Sequence, residues 1–394
     1  MRLSADPYRV SRFRIPPLHR RFICLSIAGL TLILASLAQS QFLSTDMPVR
    51  FKDPDLEQAV ISQLGLLAPT VADMRSLTRL RAHAARISSL SGLEHATNLT
   101  ELSLAHNQIV NLAPLSQCVQ LKKLNLIDNL IADLGPLEGL TTLEILYVGR
   151  NQIVDISPLS DLTRLRSMVL SRNQIEDIGP LRSLTALEEL YLVSNNIIDL
   201  EPLSTLTSVR KLRLGECHIQ SIHPLANLMK LTELDLSGNM IEDIGPLSSL
   251  QNLRLLNLAD NAIAHVDSLV HCQSLVELDL SGNRIDDVRA LSQLESLATC
   301  DLTGNPISLE AICLQIQPWR QSRPQLKLEI EAKYQDCPLI NPDLDLNRDF
   351  RIDYRDYPLL IETWSGDLTL LNLLRLSELW LTDCLEAPSD SVCL

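Results

Sequence analysis

The residues best equipped for chemistry lie in Asp345-Leu-Asn347-Arg-Asp349-Phe350-Arg351-Ile352-Asp353-Tyr-Arg-Asp356. Side-chain oxygens fall at positions 1, 3, 5, 9 and 12 (Asp345, Asn347, Asp349, Asp353, Asp356), and the backbone carbonyl of Arg351 takes position 7. Hard oxygen donors at that spacing wrap one hard cation in a single turn of chain, and calcium takes such a set. Ile352, at position 8, is the inward apolar residue, and 357–364 reads as an exiting helix. The chemistry offered is ion binding. Catalysis has no comparable constellation: the eight histidines are scattered, with no His-Glu-x-x-His, nucleophile elbow or phosphate loop. His83, His106, His218 and His223 fall at repeat positions and read as surface or edge residues. The expectation is a non-enzymatic protein.

The elements that position everything else are set by a repeat. Asparagine recurs every 22 residues at 107, 129, 151, 173 and 195, then at 239, 261, 283 and 305, with Cys217 filling the gap. Each closes the same phrase, as in Leu99-Thr-Glu-Leu102-Ser-Leu104-Ala-His-Asn107, the L-x-x-L-x-L-x-x-N/C signature of a leucine-rich solenoid. Leu102 and Leu104 alternate with Glu101, Ser103 and Ala105, so the leucines face inward on a short strand. One strand cannot bury its leucines alone, but stacked coils share a core. An inward amide where the strand ends can bond backbone groups that would otherwise be buried unpaired.

The second half of each repeat reads I-x-x-I/L-x-P-L-x-x-L, with Pro at 114, 136, 158, 180, 202, 224 and 246. Proline fixes φ and removes a donor, which suits turns or short 3₁₀ segments rather than a second strand. Ser268 and Ala290 replace it later, so that side is expected to loosen there. The expected fold is therefore an α/β repeat solenoid. A parallel sheet of about eleven strands, from near Thr78 to near Thr303, lines its concave face; turns and 3₁₀ segments form its convex face, and a small helical module follows.

The repeats, over residues 77–305, resemble the 22-residue class found in bacterial internalins and in a phosphatase-regulating eukaryotic relative. That resemblance implies the fold and a binding role without naming the partner. The acidic loop with its exiting helix resembles a dockerin-type repeat, whose twelfth ligand is Asp rather than Glu. Residues 368–380 align with 352–364 at an offset of 16, pairing Leu360/Leu376, Glu362/Glu378 and Trp364/Trp380. The second copy keeps little of the acidic loop beyond Asp367, so the resemblance implies one calcium ion at most, and docking to a surface or scaffold receptor. Phe350 replaces the Gly of the sharp turn and Arg348 puts a positive charge beside the ion, so a module that folds without metal is the alternative.

Residues 1–21 carry six arginines, 22–38 carry no charge, and Ser36-Leu-Ala38 ends the run. This reads as a signal peptide over 1–38, or a retained membrane anchor. A helical cap is expected over 39–76, with Asp53 as N-cap, Pro54 at the first helical position and Gly65 as the stop. This cap looks like that of secreted bacterial leucine-rich proteins. The repeats span 77–305, and a C-terminal cap spans 306–332, with a short helix ending at Ile316, an alternating strand from Leu326 to Ile330, and Trp319 packed beneath. The dockerin-like module covers 335–384 and a tail covers 385–394. Without 1–38 the chain has 28 basic and 47 acidic residues, net −19, which disfavours a nucleic-acid partner. Cys118, Cys272 and Cys300 occupy core-leucine columns, while Cys337–Cys384 is the preferred disulfide among connectivities the sequence leaves open.

A protein partner is expected on the concave face. Most outward positions are small or acidic, but the middle repeats present Tyr147, Arg150, Val169, Arg172, Tyr191 and Arg213. Tyrosine and arginine dominate interface hot spots. Glu233, Asp235, Asp260, Glu277, Asp279 and Asp301 make the following repeats acidic. The reading is a secreted or cell-surface protein-binding protein; the alternative is a structural surface component without a discrete ligand.

Overall fold

A computed structural model describes residues 47–308 and 311–330. Within them, 12 parallel strands form one sheet in sequence order. The strands are β1 (Arg79–Arg81), β2 (Glu101–Ser103), β3 (Lys123–Asn125), β4 (Ile145–Tyr147), β5 (Ser167–Val169) and β6 (Glu189–Tyr191). Then follow β7 (Lys211–Arg213), β8 (Glu233–Asp235), β9 (Leu255–Asn257), β10 (Glu277–Asp279), β11 (Thr299–Asp301) and β12 (Lys327–Glu329). The first eleven occur every 22 residues, and β12 is the alternating segment expected at the C-terminal end. The core is one continuous cluster of Leu, Ile and Val from every coil.

The repeated asparagine explains how a coil of three-residue strands and turns can be buried. Asn195, 3% exposed, accepts from the Ile175 amide at 3.1 Å, and its Nδ2 donates to the carbonyls of Leu192 (2.8 Å) and Leu170 (3.2 Å). One side chain thus satisfies its own strand end and two places in the preceding coil. Asn129, Asn239 and Asn283 repeat this pattern. Cys217 supplies half of it: its thiol donates to Leu192 O (3.3 Å) and Gly215 O (3.4 Å). The Ile197 amide, which an asparagine at 217 would receive, has no acceptor among the described residues.

Strands are short because the residue before each asparagine, and before Cys217, turns left-handed: φ is 60° at His106, 58° at Asp128, 55° at Arg150, 58° at Arg172 and 57° at Glu216. Gly238, Gly282 and Gly304 hold the same column at 62–72° without the steric cost a side chain brings there.

The convex side is a row of 3₁₀ turns with proline near the start of each from Ala113–Gln117 to Gly245–Ser249. A second ladder fixes them: Asn111, Asp133, Asp155, Asp177, Asp199, Asp243 and Asp287 each accept the amide two residues on, at 2.7–3.0 Å. The loosening expected at Ser268 and Ala290 does not occur. The turns Asp267–His271 and Arg289–Gln293 are full length, because the Leu269→Val266 and Leu291→Val288 bonds (both 3.0 Å) and the buried leucines hold them without proline.

At the N-terminal end, α1 (Pro54–Leu64) starts at Asp53, ends at Gly65 with φ 70°, and buries Leu56 and Val60. Asp53 also fastens this cap to the first coil. One carboxylate oxygen takes the Asp55 and Leu56 amides (3.0 Å each), and the other takes the Ser88 amide (2.7 Å) and hydroxyl (2.9 Å). A short helix, α2 (Val71–Met74), follows with a Thr70/Asp73 capping box. At the other end the helix expected to finish at Ile316 continues. A π-helical turn over Ile312–Ile316 leads into α3 (Gln317–Ser322), since Pro318 sits in the first turn, where no amide is needed. Trp319 on α3 is buried in the core cluster. Cys118, Cys217, Cys272 and Cys300 are free and buried; burial pushes the first three thiols to about 11, so they are core groups rather than nucleophiles. The segment 1–38, the acidic loop, the 335–384 module, the tail and Cys337–Cys384 lie outside the described residues.

Two predictions follow from these bonds. Cys217→Asn gives the Ile197 amide its acceptor and raises unfolding stability by about 1 kcal/mol, read from denaturant midpoints at constant m. Burial alone would raise the Asp53 pKa, but bonds from Ser88, Leu56 and Ser89 outweigh it and hold the carboxyl below the usual range. Its contribution is complete above the ordinary aspartate value of about 4 and is lost as pH falls through the lowered folded value. Acid titrations of thermal midpoint therefore fall less steeply in Asp53→Asn than in the parent, from a lower starting midpoint.

Candidate interaction face

On three-residue strands the first and third side chains point outward, and the parallel register stacks them in two columns. Tyr147, Val169, Tyr191 and Arg213 are direct cross-strand neighbours. The column beside them holds Ile145, Ser167, Glu189, Lys211 and Glu233. The Arg213 guanidinium lies 5.1 Å from the centre of the Tyr191 ring, a cation–π contact.

The neighbouring column ties these strands together. Tyr147 Oη meets Ser167 Oγ at 3.3 Å, and Ser167 donates to Glu189 Oε2 at 2.9 Å. Lys211 Nζ sits 3.9 Å from Glu189 Oε1 and 3.2 Å from Glu233 Oε1. One chain of contacts therefore crosses β4 to β8 and holds the aromatic side chains before any partner arrives. Burial, then the Glu189 charge, raises the Tyr191 phenol above its ordinary value, against the opposing pull of Arg213 and Lys211.

Arg150 and Arg172 correct the expectation that they share the strands with the tyrosines. The strands end three residues earlier, and both arginines occupy the left-handed turn column at the rim of the face. Both are exposed, and among the described residues neither makes an ion pair. In that column His106 Nδ1 and Asp128 Oδ2 meet in a hydrogen bond at 2.8 Å.

Beyond Arg213 the face becomes a groove of about 450 Å³ whose lining includes Asp235, Asn257, Asp279, Asp301 and Glu329. Asp235, Asp279 and Asp301 each take the amide and hydroxyl two residues on, from Ser237, Ser281 and Thr303, at 2.6–3.1 Å. These bonds align the carboxylates in one row. The strand residues of β1–β7 carry five basic and two acidic side chains, and those of β8–β12 carry one basic and six acidic. The face is thus polarised from +3 to −5, which favours a partner with the opposite polarity and opposes polyanions at its acidic end. Asp260 lies outside these columns, at the rim. A second recess, about 730 Å³, lies near His223, Met240 and Arg284. Among the described residues no group of three His, Cys, Asp or Glu could hold a metal ion.

Sequence reasoning found the tyrosines and arginines but missed Ser167 and Glu189, whose importance lies in contacts to residues 20–22 positions away. It also missed the turn column, although Gly238, Gly282 and Gly304 in one register were its signal. A phenol titration checks the electrostatics: Tyr191 ionises above the ordinary value of about 10, and Glu189→Gln moves that step downward.

The family model for Leucine Rich repeats (2 copies) matches residues 97–139, 119–161, 163–205, 207–249, 230–271 and 251–293. The crystal structure of an internalin (InlF) from Listeria monocytogenes is 28% identical, covers 72% of this chain and 97% of its own, and superposes with a TM-score of 0.52. That of internalin C2 from the same organism is 33% identical, covers 55% of this chain and 99% of its own, with a TM-score of 0.53. A TLR13–ssRNA13 complex, at 23% identity, 64% and 40% coverage and a TM-score of 0.53, shares the fold alone. No curated protein sequence matches the chain. The chain belongs to the leucine-rich repeat family, with internalins among its structural neighbours.

Proposed function

We propose that this is a non-enzymatic, secreted or cell-surface protein that holds a protein ligand on its concave face. The observation that carries this reading is the patch of Tyr147, Val169, Tyr191 and Arg213 on adjacent strands, fixed from the neighbouring column by Ser167 and Glu189 and flanked by the exposed Arg150 and Arg172. Rigid aromatic and guanidinium groups lose little entropy on docking and bury large areas. The leader-like segment 1–38 supports export, and among the described residues no helix is long and apolar enough to cross a membrane. The repeats supply a curved sheet without a catalytic constellation, which supports a non-enzymatic role.

A structural surface component without a ligand is the second reading. It is favoured by one observation: the contacts from Tyr147 to Glu233 satisfy many of these side chains within the sheet itself.

The reading includes one calcium ion in the loop of Asp345, Asn347, Asp349, Arg351, Asp353 and Asp356. Five side-chain oxygens and one carbonyl suit that ion, and the loop would make the tail a docking element for a surface or scaffold receptor.

Two experiments test the two halves. Immobilised residues 39–394 capture a protein from native surroundings, and the folded Tyr147→Ala/Arg172→Ala/Tyr191→Ala variant loses it; identical capture by both variants sinks the concave-patch assignment. Calorimetric titration of the same chain with calcium gives one binding step that disappears in Asp345→Ala/Asp349→Ala, whereas no heat at millimolar calcium removes the ion from the account.

A further inference from the structure

We infer that the junction between the coils of β6 and β7 is a hinge, pinned along the sheet and loose on both flanks, about which the aromatic and acidic halves of the concave face move against each other. The inference concerns the solenoid itself and holds whichever partner the face binds.

The first observation is a gap in a backbone ladder. The residue after each repeated asparagine donates its amide to an isoleucine of the preceding coil: Asn196 to Ile175 O at 2.9 Å, and Met240 to Ile219 O at 2.8 Å. The same bond recurs from Gln108 to Arg284 but is broken at the β6–β7 junction. There, among the described residues, the His218 amide finds no acceptor and nothing donates to Ile197 O. The Ile197 amide is unpaired as well, for want of an asparagine at 217. Ile197 is 0% exposed, so both of its backbone groups are shut away from bulk water.

The cause is local to the repeated column. It lacks asparagine at Ala85 and Cys217, and in both places the next residue turns left-handed, with φ 60° at Arg86 and 63° at His218. The amides of Ala85 and Cys217 then go to the following asparagine, at 3.1 Å each. At Ala85 this costs no junction, because no leucine-rich coil precedes it. At Cys217 it falls in the middle of the solenoid. The asparagine ladder is intact on both sides, at the Ile153 and Ile175 amides before the junction and from Ile219 to Ile285 after it.

The opposite flank has a gap at the same junction. Thr205 Oγ1 donates to Arg182 O (2.8 Å) across β5–β6, and Ser249 Oγ donates to Ala226 O (2.6 Å) across β7–β8. The equivalent residue between them is Asn227, whose side chain makes no hydrogen bond to the coil of β6. The sheet side, in contrast, is complete. Arg210 donates to Glu188 O (2.8 Å), Leu192 to Arg213 O (2.8 Å) and Ser194 to Gly215 O (2.9 Å). On the concave surface Lys211 reaches Glu189, and Arg213 lies over Tyr191. Bonds kept along one line and lost on either side of it leave a bending axis. That axis runs between Tyr191 and Arg213, where the aromatic strip passes into the acidic groove. Bending there changes the curvature of the face while each half keeps its own geometry.

Thiol labelling of the full chain with a small maleimide, mapped by mass spectrometry, tests the hinge. Cys118, Cys217 and Cys272 are all buried, and burial pushes each thiol to about 11, so their labelling rates compare how often the surrounding coils open. A uniform solenoid frays from its ends and protects its middle. The hinge reverses that order. Cys217 rests against Leu192 O of the preceding coil, so it labels about tenfold faster or more than Cys118 and Cys272. Low urea barely alters its rate, because a hinge exposes little surface. Asn227→Thr supplies the bond that Thr205 makes one coil earlier and slows labelling of Cys217 alone. Three results would overturn the assignment: Cys217 no faster than the other two, a Cys217 rate that climbs steeply with urea and so reports unfolding of whole coils, or a rate indifferent to Asn227→Thr.

Discussion

The structure depends on the satisfaction of buried backbone groups where each strand stops. A coil of 22 residues with a three-residue strand leaves most of its amides and carbonyls outside any sheet ladder, yet its leucines must be dry. The repeated asparagine resolves the conflict by accepting from the preceding coil and donating to both coils at once. An unpaired buried amide costs about 1–3 kcal/mol, so a side chain that removes three such penalties per coil sets the period of the fold. Cys217 shows the limit of tolerance: its thiol donates as the amide does but, a weak acceptor, does not receive the Ile197 amide.

Once that bond fixes where the strand ends, the functional surface follows. The turn before each asparagine is left-handed, so the face is only two outward columns wide, with a rim of exposed side chains beside it. Whatever occupies these columns is repeated at the spacing of the strands. Aromatic and basic residues then form a continuous strip, and acidic residues form a groove whose carboxylates are held in line by Ser237, Ser281 and Thr303. Polarity along the face therefore comes from one-dimensional sequence order, and the sheet translates it directly into an electrostatic gradient.

Periodicity made the architecture legible. The asparagine and proline columns give the strand positions, the 3₁₀ turns and the stacking, and Asp53-Pro54 with Gly65 marks the cap helix. The sequence reading failed where a residue acts through a neighbour one repeat away. Asp53 reads as a local cap, but its second oxygen holds Ser88 across 35 residues. Ser167 carried no signal in the sequence, but it links Tyr147 to Glu189. Arg150 and Arg172 were visible as hot-spot residues, yet their place on the rim depended on a backbone turn whose clearest signal was three glycines further along. Aspartates 133, 155, 177 and 199 drew no reading from the sequence and are the caps of the convex turns.

The central claim is that a protein ligand lies across the middle of the concave face. A photoreactive side chain placed at Val169, between Tyr147 and Tyr191, tests it most directly, with Met240 on the exposed flank as the control position. The account predicts a single partner adduct on irradiation from position 169 in native surroundings and none from position 240. An adduct from position 240 alone, or none from 169 in a folded chain, would contradict it.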